Sequence, residues 1–587
     1  MCSSISSTSS EPPRELPARR GSSLFYGGKT LLSRIDPVDQ AERPVNALTI
    51  KEQTLYFCPS PLYGYGLSLL MEKINKNPLN HSAVLCAEAD QRLFDLSRGA
   101  MDKLLAEGKG NLILTKTETG PDAGARLCGL VKKIWGERRF RRIEFLRLNM
   151  GWQLFPELYE TMAAALQQDL AVSWSNAMTL IRLGRHYIRN AVVNLGLIPE
   201  HSGFSALNYG SDPVLVLGAG PSMDIMLDTL SESRGSGRER SSGTAPDRRP
   251  YRIICADTCV PSLKERGILP DLVVILESQH WNLRDFLNAR SWKIPAAIDL
   301  SALPASSRVL GGKNYLFMTP WTELRIFDRL EQQGLLPPRL NPMGSVGLSA
   351  AELARRLSNG PLVTAGLDFS YSLDAYHARS SPGHLSKLAV TGRFNSLLNI
   401  KDAFREGTYK TVSKSGTPVR SDPAMRNYRS VFEEEFSSLS RIYEIEGPGL
   451  SLGVKKISPE EAADILNRPG DRPDLPSGAS VSKKPAVPPD PAVPPDREAK
   501  KRALGKFIKG EKDCLNKLRD LLTGEALAEE GEMEELLDTC DYLWAHFPEC
   551  AGAGGQRPSA SDLSFLKRVR TEIDPFLKLW DSVLINE

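Results

Sequence analysis

The sequence of 587 residues is nearly balanced in charge, with 74 Lys and Arg against 71 Asp and Glu and a formal net charge of +3. Apolar residues make up 41% and charged residues 25%, which is typical of chains that bury sizeable cores. These values exclude a collagen-like chain, a wholly disordered chain and a small disulfide framework, and the charge balance predicts no nucleic-acid partner.

The first residues and the cysteines favour a cytoplasmic protein. The N-terminal stretch lacks the apolar core of a secretory signal, and no run approaches the 18 apolar residues expected of a membrane span. The nine cysteines are odd in number and include no Cys-x-x-Cys pair. Cys255 and Cys259 are four residues apart, but no second pair is near them, so we expect no metal site.

Three polar stretches divide the chain into predicted domains. Residues 1–22 are expected to be disordered, and residues 231–250 are interpreted as a surface insertion. Residues 468–500 contain the hexapeptide PAVPPD twice, which indicates a semi-rigid linker. The blocks between them are an N-terminal α/β Rossmann-like domain (24–150), connecting helices (151–205), a central α/β domain (206–460) and a C-terminal helical domain (501–587).

Six short apolar runs in the central block have the character of buried parallel strands. Helical stretches separate them, which indicates a doubly wound sheet covered on both faces. In such sheets ligands bind beyond the carboxyl ends of the strands, so the residues after each run are candidates for chemistry. The runs are 214–218, 252–257, 272–277, 296–299, 315–319 and 362–366.

The first run leads into Gly218-Ala219-Gly220-Pro221-Ser222. The two glycines permit a tight turn and a close approach to a ligand, and Pro221 suits the first turn of a helix. The free N–H groups of this helix start and the Ser222 hydroxyl would suit a phosphate. The third glycine of the dinucleotide fingerprint is missing, so the pattern disfavours NAD, and a plain strand-to-helix turn stays open.

Acidic residues and a second glycine-containing turn follow later runs. Asp257 and Glu277 could accept from a ribose hydroxyl or hold a metal, although Asp257 could also cap a helix. Gly344 and Ser345 open another helix whose N-terminus could receive an anion.

The loop after the sixth run concentrates reactive side chains. Asp368 follows the strand, and His377 and His384 are two of only seven histidines in the chain. A catalytic role and an ordinary surface position are both open for these histidines. The other polar residues of this loop are Tyr371, Tyr376, Arg379 and Lys387.

These motifs resemble the MptE-like family (domain of unknown function 115), and more specifically its motility accessory factor branch, the flagellin nonulosonic-acid transferases. The resemblance covers about residues 30–460. The matching segments of the core are GAGPSMD, ADT, LKERGILPDLVVILE, GSVGLSAAELARRL and AGLDFSY followed by YHA, and LLSRIDPVDQAER (31–43) and RHYIRNAVVNL (185–195) precede them.

The chain departs from the family in two places. Glu277 stands where the family usually has Asp, and the loop at 59–66 is poorer in glycine than is typical. That loop, together with Glu88, also resembles an S-adenosylmethionine-binding Rossmann unit, and we interpret it as a structural relic of that fold.

The resemblance implies a glycosyltransferase with a sialyltransferase-like, Rossmann-like central sheet. Related enzymes that use CMP-sialic acid share a G-x-D-F turn, here residues 366–369, and a histidine on the loop that follows. The implied reaction transfers a pseudaminic or legionaminic type of nonulosonic acid from a CMP donor to Ser or Thr of flagellin. It would occur in the cytoplasm, support flagellar assembly and motility, and require no cofactor besides the donor substrate.

The resemblance also suggests roles for residues. His377 is the preferred general base and His384 the second choice, with Asp368 as a further catalytic residue. The predicted nucleotide-binding residues are Gly218, Gly220, Pro221, Ser222, Asp257, Glu277, Gly344 and Ser345. The predicted donor-binding residues are Tyr371, Tyr376 and Arg379.

Two other functions stay open. The archaeal branch of the family transfers pyrophosphate to 6-hydroxymethyl-dihydropterin, and Asp257, Glu277 and Asp368 would then hold Mg²⁺. The extra domains argue against this reaction, because a small pterin needs no surface for docking a protein. The other possibility is a non-catalytic flagellin-binding assembly factor, against which the intact glycine turn and the His377 loop argue.

Overall fold

The computed structural model describes residues 11–585 apart from 78–79, 109, 121, 137–138, 236–248, 288, 290–291, 374, 376, 399, 469–496, 528 and 552–556. The chain divides into two compact units, Met1–Arg182 with His546–Pro558 and Leu183–Ala545 with Ser559–Glu587. Within the described ranges, no helix combines the length and apolar character needed to cross a membrane.

The first unit is built on a parallel four-stranded sheet of order β6-β5-β4-β7. Strands β4 and β5 are buried along their whole length, as their apolar sequences predict for strands covered on both faces. The strands are β1 (Arg14–Pro17), β2 (Ser22–Tyr26), β3 (Lys29–Thr30), β4 (Thr54–Pro59), β5 (Ala83–Glu88), β6 (Leu112–Lys116) and β7 (Arg142–Phe145). The helices are α1 (Pro37–Ala47), α2 (Leu67–Asn75), α3 (Gln91–Glu107), α4 (Ala123–Trp135) and α5 (Pro156–Asn194), the last of which continues into the second unit.

The start of the described chain is ordered, contrary to the expectation of disorder over residues 1–22. Strand β1 pairs antiparallel with β2, and β2 pairs with β3. Ladder hydrogen bonds come from the backbone, so a Ser-rich composition does not prevent them, and Leu24 and Tyr26 of β2 are buried. The expectation is therefore wrong for residues 14–22, while residues 1–10 lie outside the described part.

In the first unit, the chain's own hydrogen-bond donors contact Glu88, the acidic residue of the segment interpreted as a relic of a cofactor site. The Glu88 carboxylate accepts hydrogen bonds from the Ser60 hydroxyl (2.7 Å), the Asp90 N–H (3.0 Å) and the Tyr159 hydroxyl (3.2 Å). Burial raises the pKa of Glu88 to about 7. The chain's own donors thus satisfy a carboxylate that a cofactor would otherwise contact, which supports the interpretation of a relic.

The second unit is organised by a parallel nine-stranded sheet of order β18-β17-β14-β9-β10-β11-β12-β13-β8. The predicted doubly wound sheet is therefore confirmed, and the six apolar runs correspond to β9 through β14. The strands are β8 (Ser202–Gly203), β9 (Val214–Leu217), β10 (Arg252–Ala256), β11 (Leu272–Ile275), β12 (Ile294–Asp299), β13 (Gly311–Phe317), β14 (Leu362–Ala365), β17 (Ile442–Ile445) and β18 (Lys455–Ile457), with a separate hairpin of β15 (Tyr409–Val412) and β16 (Pro418–Ser421).

The order of the sheet creates a topological switch between β9 and β14. From β9 the chain proceeds outward through β10 to β13, then returns to place β14 on the other side of β9. Such a switch opens a crevice at the carboxyl ends of the two strands. The helices of this unit are α6 (Ser222–Gly235), α7 (Val260–Glu265), α8 (Ser306–Val309), α9 (Arg325–Gln332), α10 (Val346–Leu357), α11 (Pro382–Val390), α12 (Ile400–Ala403), α13 (Pro423–Phe436), α14 (Pro459–Asn467), α15 (Arg497–Thr523), α16 (Glu532–Thr539) and α17 (Leu563–Ile585).

The end of helix α5 holds the loops that follow strands β11 and β12 of this sheet. The Asn190 amide donates to the carbonyls of Ser278 and Ser301, each at 3.0 Å. One helical turn later, the Asn194 amide donates to the carbonyls of Leu300 and Ala302, each at 2.8 Å. The two asparagines lie four residues apart, so one face of the helix holds the loops that follow β11 and β12.

The C-terminal helices belong mostly to the second unit, whereas the sequence predicts a separate domain. The Arg329 guanidinium of α9 donates to the Glu511 carboxylate of α15 at 2.6 and 3.0 Å, and to the Thr539 carbonyl at 3.0 Å. The Asp541 carboxylate accepts from the Arg325 N–H at 2.8 Å. These contacts attach the helices to the central block, while most of the predicted linker and insertion falls outside the described residues.

Replacing Arg329 with Ala tests this attachment. The Glu511 side chain is only 4% exposed, so the variant leaves a buried carboxylate without its cation, at a cost of about 3–5 kcal/mol. The control is Arg325→Ala, because the Arg325 side chain is 58% exposed and its pair with Asp538 is worth at most ~1 kcal/mol. Urea unfolding measures both, and equal small effects would mean that the helices fold independently of the central block.

Candidate active site

A cleft of about 260 Å³ lies at the switch point of the large sheet, beyond the carboxyl ends of β9, β10 and β14. Three strand ends, the start of helix α10, helix α13 and one loop form its walls. Its lining residues are Gly218, Ala219, Gly220, Ala256, Thr258, Ser345, Val346, Gly347, Gly366, Leu367, Asp368, Phe369, Ser370, His377, Met425 and Tyr428.

Asp368 and Ser222 join the turns after β9 and β14. The Asp368 carboxylate accepts from the Ser222 N–H at 2.8 Å and from its hydroxyl at 2.5 Å. The same hydroxyl accepts from the Gly366 N–H at 2.7 Å. The start of helix α6 therefore already holds a carboxylate, which occupies the position that the sequence predicts for a phosphate. Both residues thus have a structural role in joining the turns, and because Asp368 also lines the cleft, the predicted catalytic and nucleotide-binding roles stay predictions.

The glycines are needed for this contact between turns. A Cβ atom on Gly218 would lie 2.4 Å from the Gly366 carbonyl oxygen, and one on Gly220 would lie 2.4 Å from an Asp368 carboxylate oxygen. Gly366 itself has φ of +75°. The sequence thus identifies the right residues, but the close approach is to the protein's own backbone and carboxylate. Pro221 precedes α6 and is not among the cleft-lining residues.

The start of helix α10 is the part of the cleft best suited to an anion. Ser345 is its N-cap and makes no side-chain capping bond, and Val346 and Gly347 line the cleft. The first N–H groups of a helix have no partner within it and carry the positive end of its dipole. Gly344, with φ of +75°, makes the turn before the helix and lies against the Tyr428 ring. The position of Ser345 is therefore compatible with its predicted contact to a nucleotide phosphate. Gly344 shapes the turn that precedes the helix.

His377 lies in the wall of the cleft, and His384 does not. Burial lowers the pKa of His377, against the opposing effect of a hydrogen bond to the Ala219 backbone. A lowered pKa keeps the imidazole neutral at pH 7, as a general base requires. His384 instead accepts the Ser380 N–H at its Nδ1 (3.0 Å) in the first turn of α11, which is a structural contact.

Two of the predicted donor-binding residues, Tyr371 and Arg379, are described by the structure and are not among the lining residues. Tyr371 is buried, and its hydroxyl donates to the Asp422 carboxylate at 2.8 Å and accepts from Arg405 at 2.7 Å. Arg379 donates from its backbone to Asp224 at 2.8 Å and from its guanidinium to Asp228 at 2.5 Å. These contacts hold the loop in place. Tyr376 lies outside the described residues.

Asp257 and Glu277 are not among the cleft-lining residues. The Asp257 carboxylate accepts from the Asn282 amide (2.7 Å) and the Thr258 N–H (2.8 Å), and burial raises its pKa to about 6. Burial and the nearby Asp257 raise the pKa of Asp285 to about 7. Glu277 accepts the Gln279 N–H at 2.9 Å. In the described part of the chain, no three Asp, Glu, His or Cys residues are grouped closely enough to hold a metal ion.

Helix α13 contributes a wall that the sequence did not predict. Met425 and Tyr428 line the cleft, and the centroids of the Tyr428 and Phe369 rings are 6.0 Å apart. Phe369 has φ of +46°, an unusual backbone for an aromatic residue that is often found at functional sites. Helix α13 does not follow a strand of the large sheet, so an analysis of the residues after each strand could not identify its contribution to the cleft. Thr258, which is next to the predicted Asp257, is the lining residue that the strand-end argument nearly identified.

Introducing Ala at Gly220 tests the turn-to-turn contact. The added Cβ would meet Asp368 at 2.4 Å and the Gly366 carbonyl at 2.8 Å, so we expect a destabilisation of about 1–3 kcal/mol. The control is Gly505→Ala in α15, where the Cβ meets no atom within 4 Å and Ala favours the helix by ~0.5–1 kcal/mol. Thermal unfolding distinguishes the two, and an unchanged melting temperature for Gly220→Ala would refute the packing argument.

Comparisons with known proteins agree with this architecture. The family model described as 6-hydroxymethylpterin diphosphokinase MptE-like matches residues 185–374. An uncharacterized protein of Treponema pallidum (strain Nichols) is 26% identical over 97% of this chain and 95% of its own length. The structure of Maf glycosyltransferase from Magnetospirillum magneticum AMB-1 is similar with a TM-score of 0.51 and 12% identity, over 98% of this chain and 92% of that one. Residues 185–374 are therefore similar to the MptE-like family model, within a chain whose fold is similar to that of a Maf glycosyltransferase.

Proposed function

We propose that this protein is a glycosyltransferase that moves a nonulosonic acid of the pseudaminic or legionaminic type from a CMP donor to Ser or Thr of flagellin. The observation that carries the proposal is the cleft at the switch point, where a helix N-terminus and a neutral histidine line one space. The likeness to a Maf glycosyltransferase supports the fold needed for it. We further propose that the reaction occurs in the cytoplasm, needs no cofactor besides the donor substrate, and supports flagellar assembly.

The donor's phosphate fits the start of helix α10. The N–H groups of Val346 and Gly347 lie at the cleft and, as the first of the helix, carry the positive end of its dipole. The start of α6 is less suitable, because Asp368 already occupies it. The Phe369 and Tyr428 rings, which also line the cleft, offer apolar surface for a base or sugar, and the Thr258 hydroxyl offers a polar contact.

His377 supplies the base that the acceptor hydroxyl needs. The glycosidic bond to CMP breaks through an oxocarbenium-like transition state, and the bonding electrons leave with the CMP phosphate. The acceptor oxygen then forms the new bond to the anomeric carbon, and its proton passes to the imidazole nitrogen that does not contact the Ala219 backbone. A direct displacement of this kind inverts the anomeric centre.

The second candidate is pyrophosphate transfer to a pterin, which the description of the matching family model names. It would use Mg²⁺ on Asp257, Glu277 and Asp368. These carboxylates already accept hydrogen bonds from Asn282, Gln279 and Ser222 respectively, and among the described residues they form no shared metal-binding group. The geometry therefore favours the sugar transfer, and product formation from ATP and a hydroxymethylpterin in the presence of Mg²⁺ would reverse this preference.

Mass analysis of flagellin tests the proposed function directly. Flagellin from a strain that lacks this protein should lose the mass of the nonulosonic acids, and restoring the gene should return it. An unchanged flagellin mass would leave the non-catalytic assembly factor as the better account.

Replacing His377 with Ala tests the base. General-base assistance typically contributes ~10²–10⁴-fold in rate, so transfer should slow by about that factor while CMP affinity stays nearly unchanged. The matched control is His384→Ala, which removes an imidazole outside the cleft and should leave the rate within about twofold of wild type. Measured transfer rates and calorimetry with CMP separate the two effects, and a large loss only in the control would assign the base to His384.

The pH dependence gives a further check on the same residue. Because burial lowers the pKa of His377, the neutral form persists below the usual histidine value of about 6.5. The transfer rate should therefore stay level as pH falls to about 6.5 and decline below it, and the His377→Ala variant should lack this decline. A decline centred clearly above pH 6.5 would contradict the assignment.

A further inference from the structure

Exposed apolar side chains are concentrated directly after the loop that carries His377. Among the described residues, eight of the twenty-one large apolar side chains that are exposed fall within residues 385–404, here called the apolar segment. Large exposed apolar patches on folded proteins commonly mark sites of interaction. The eight are Leu385, Leu388, Val390, Phe394, Leu397, Leu398, Ile400 and Phe404.

Local hydrogen bonds hold much of the apolar segment in a defined conformation. Helix α11 is capped by the Ser381 hydroxyl, which accepts the His384 N–H at 3.3 Å. After the helix, Gly392 and Asn395 exchange backbone hydrogen bonds of 3.0 and 3.1 Å, which places Phe394 in a closed turn with 95% of its side chain exposed. An apolar ring presented by a hydrogen-bonded turn loses less conformational entropy on binding than one on an unconstrained loop.

The apolar segment is physically continuous with the cleft. Gly383, in the first turn of α11, lies directly beneath His377, because a Cβ atom there would approach the imidazole to 2.5 Å. The ion pair between Lys387 and Asp402 (3.0 Å) joins α11 to α12, and both charges affect the pKa of His377. A molecule bound to this segment would therefore lie next to the proposed base.

The charges of the apolar segment are predominantly positive. It contains Lys387, Arg393 and Lys401 against the single acidic residue Asp402. Lys387 is paired with Asp402, whereas Arg393 and Lys401 have no carboxylate partner within the part of the chain that the structure describes. An apolar partner bordered by carboxylates is thus complementary to this surface.

We propose that the apolar segment docks the polypeptide acceptor, through an apolar stretch of that acceptor bordered by Asp or Glu. This proposal rests on the proposed function, because it takes the acceptor to be a protein. An anionic membrane fits less well, since recognition of lipid headgroups commonly uses clusters of about 4–8 basic residues, and among the described residues of this segment only Arg393 and Lys401 lack a carboxylate partner.

Binding of flagellin to a triple variant tests the docking surface. The variant carries Val390→Ser, Phe394→Ser and Leu398→Ser, whose side chains are 62%, 95% and 51% exposed. The dissociation constant for purified flagellin should rise at least ~10-fold, because exposed apolar anchors dominate such interfaces. Wild-type affinity should also weaken at high salt, since the complementary charges are screened.

The matched control is a triple variant at exposed apolar positions elsewhere, with Ile35→Ser, Leu527→Ser and Leu563→Ser at 76%, 96% and 72% exposure. It should bind flagellin as the wild type does. Calorimetry with CMP checks that the cleft of each variant is intact. Equal flagellin affinity of the two variants, or failure of the wild type to bind flagellin, would overturn the proposal.

Two further measurements separate this proposal from its competitors and from the proposed function. The wild type is tested for binding to phosphatidylglycerol vesicles and for self-association in light scattering. If the docking variant loses either of these while it still binds flagellin, the proposal is overturned in favour of a lipid surface or a second copy. Flagellin binding that depends on the segment, without any sugar transfer, would refute the proposed function alone. Normal transfer by the docking variant would refute the docking surface alone.

Discussion

The candidate site depends on the carboxylate of Asp368 at the N-terminus of helix α6. It accepts two hydrogen bonds from Ser222, whose hydroxyl also accepts the Gly366 N–H, so the turns after β9 and β14 are joined at the switch point. Loss of either partner would leave buried polar groups unsatisfied, at ~1–3 kcal/mol each. With this join in place, the backbones of the two turns approach closely enough that only glycine fits at Gly218.

This join has a consequence for function. Because a protein carboxylate already occupies the start of α6, we propose the start of α10, which also lines the cleft, as the position of a ligand phosphate. His377 lies in the same wall as the β9 turn through its contact with the Ala219 backbone. Under the proposed function, the start of α10 would receive the leaving group, and His377 would take the proton of the acceptor hydroxyl.

Periodicity and strand-end reasoning predicted the doubly wound sheet and the glycine turn, because buried parallel strands have recognisable apolar sequences. The same reasoning could not assign partners. It did not show that the polar atoms of Asp368 and Tyr371, to which the resemblance gives catalytic and donor-binding roles, bind Ser222 and Asp422. It also missed Tyr428, because a helix that approaches from elsewhere in the chain leaves no signal at a strand end. Only three-dimensional packing distinguishes His377 in the cleft wall from His384 in a helical turn.

Hydrogen exchange in the presence of CMP tests the central claim, that the cleft at the switch point holds the nucleotide. Backbone amides at the start of α10, around Val346 and Gly347, should exchange more slowly when CMP is bound, since their N–H groups would donate to its phosphate. Amides of the Gly366–Ser370 turn should slow with them, because the same cleft includes that turn. Protection confined to other regions, or no change at saturating CMP, would contradict the account.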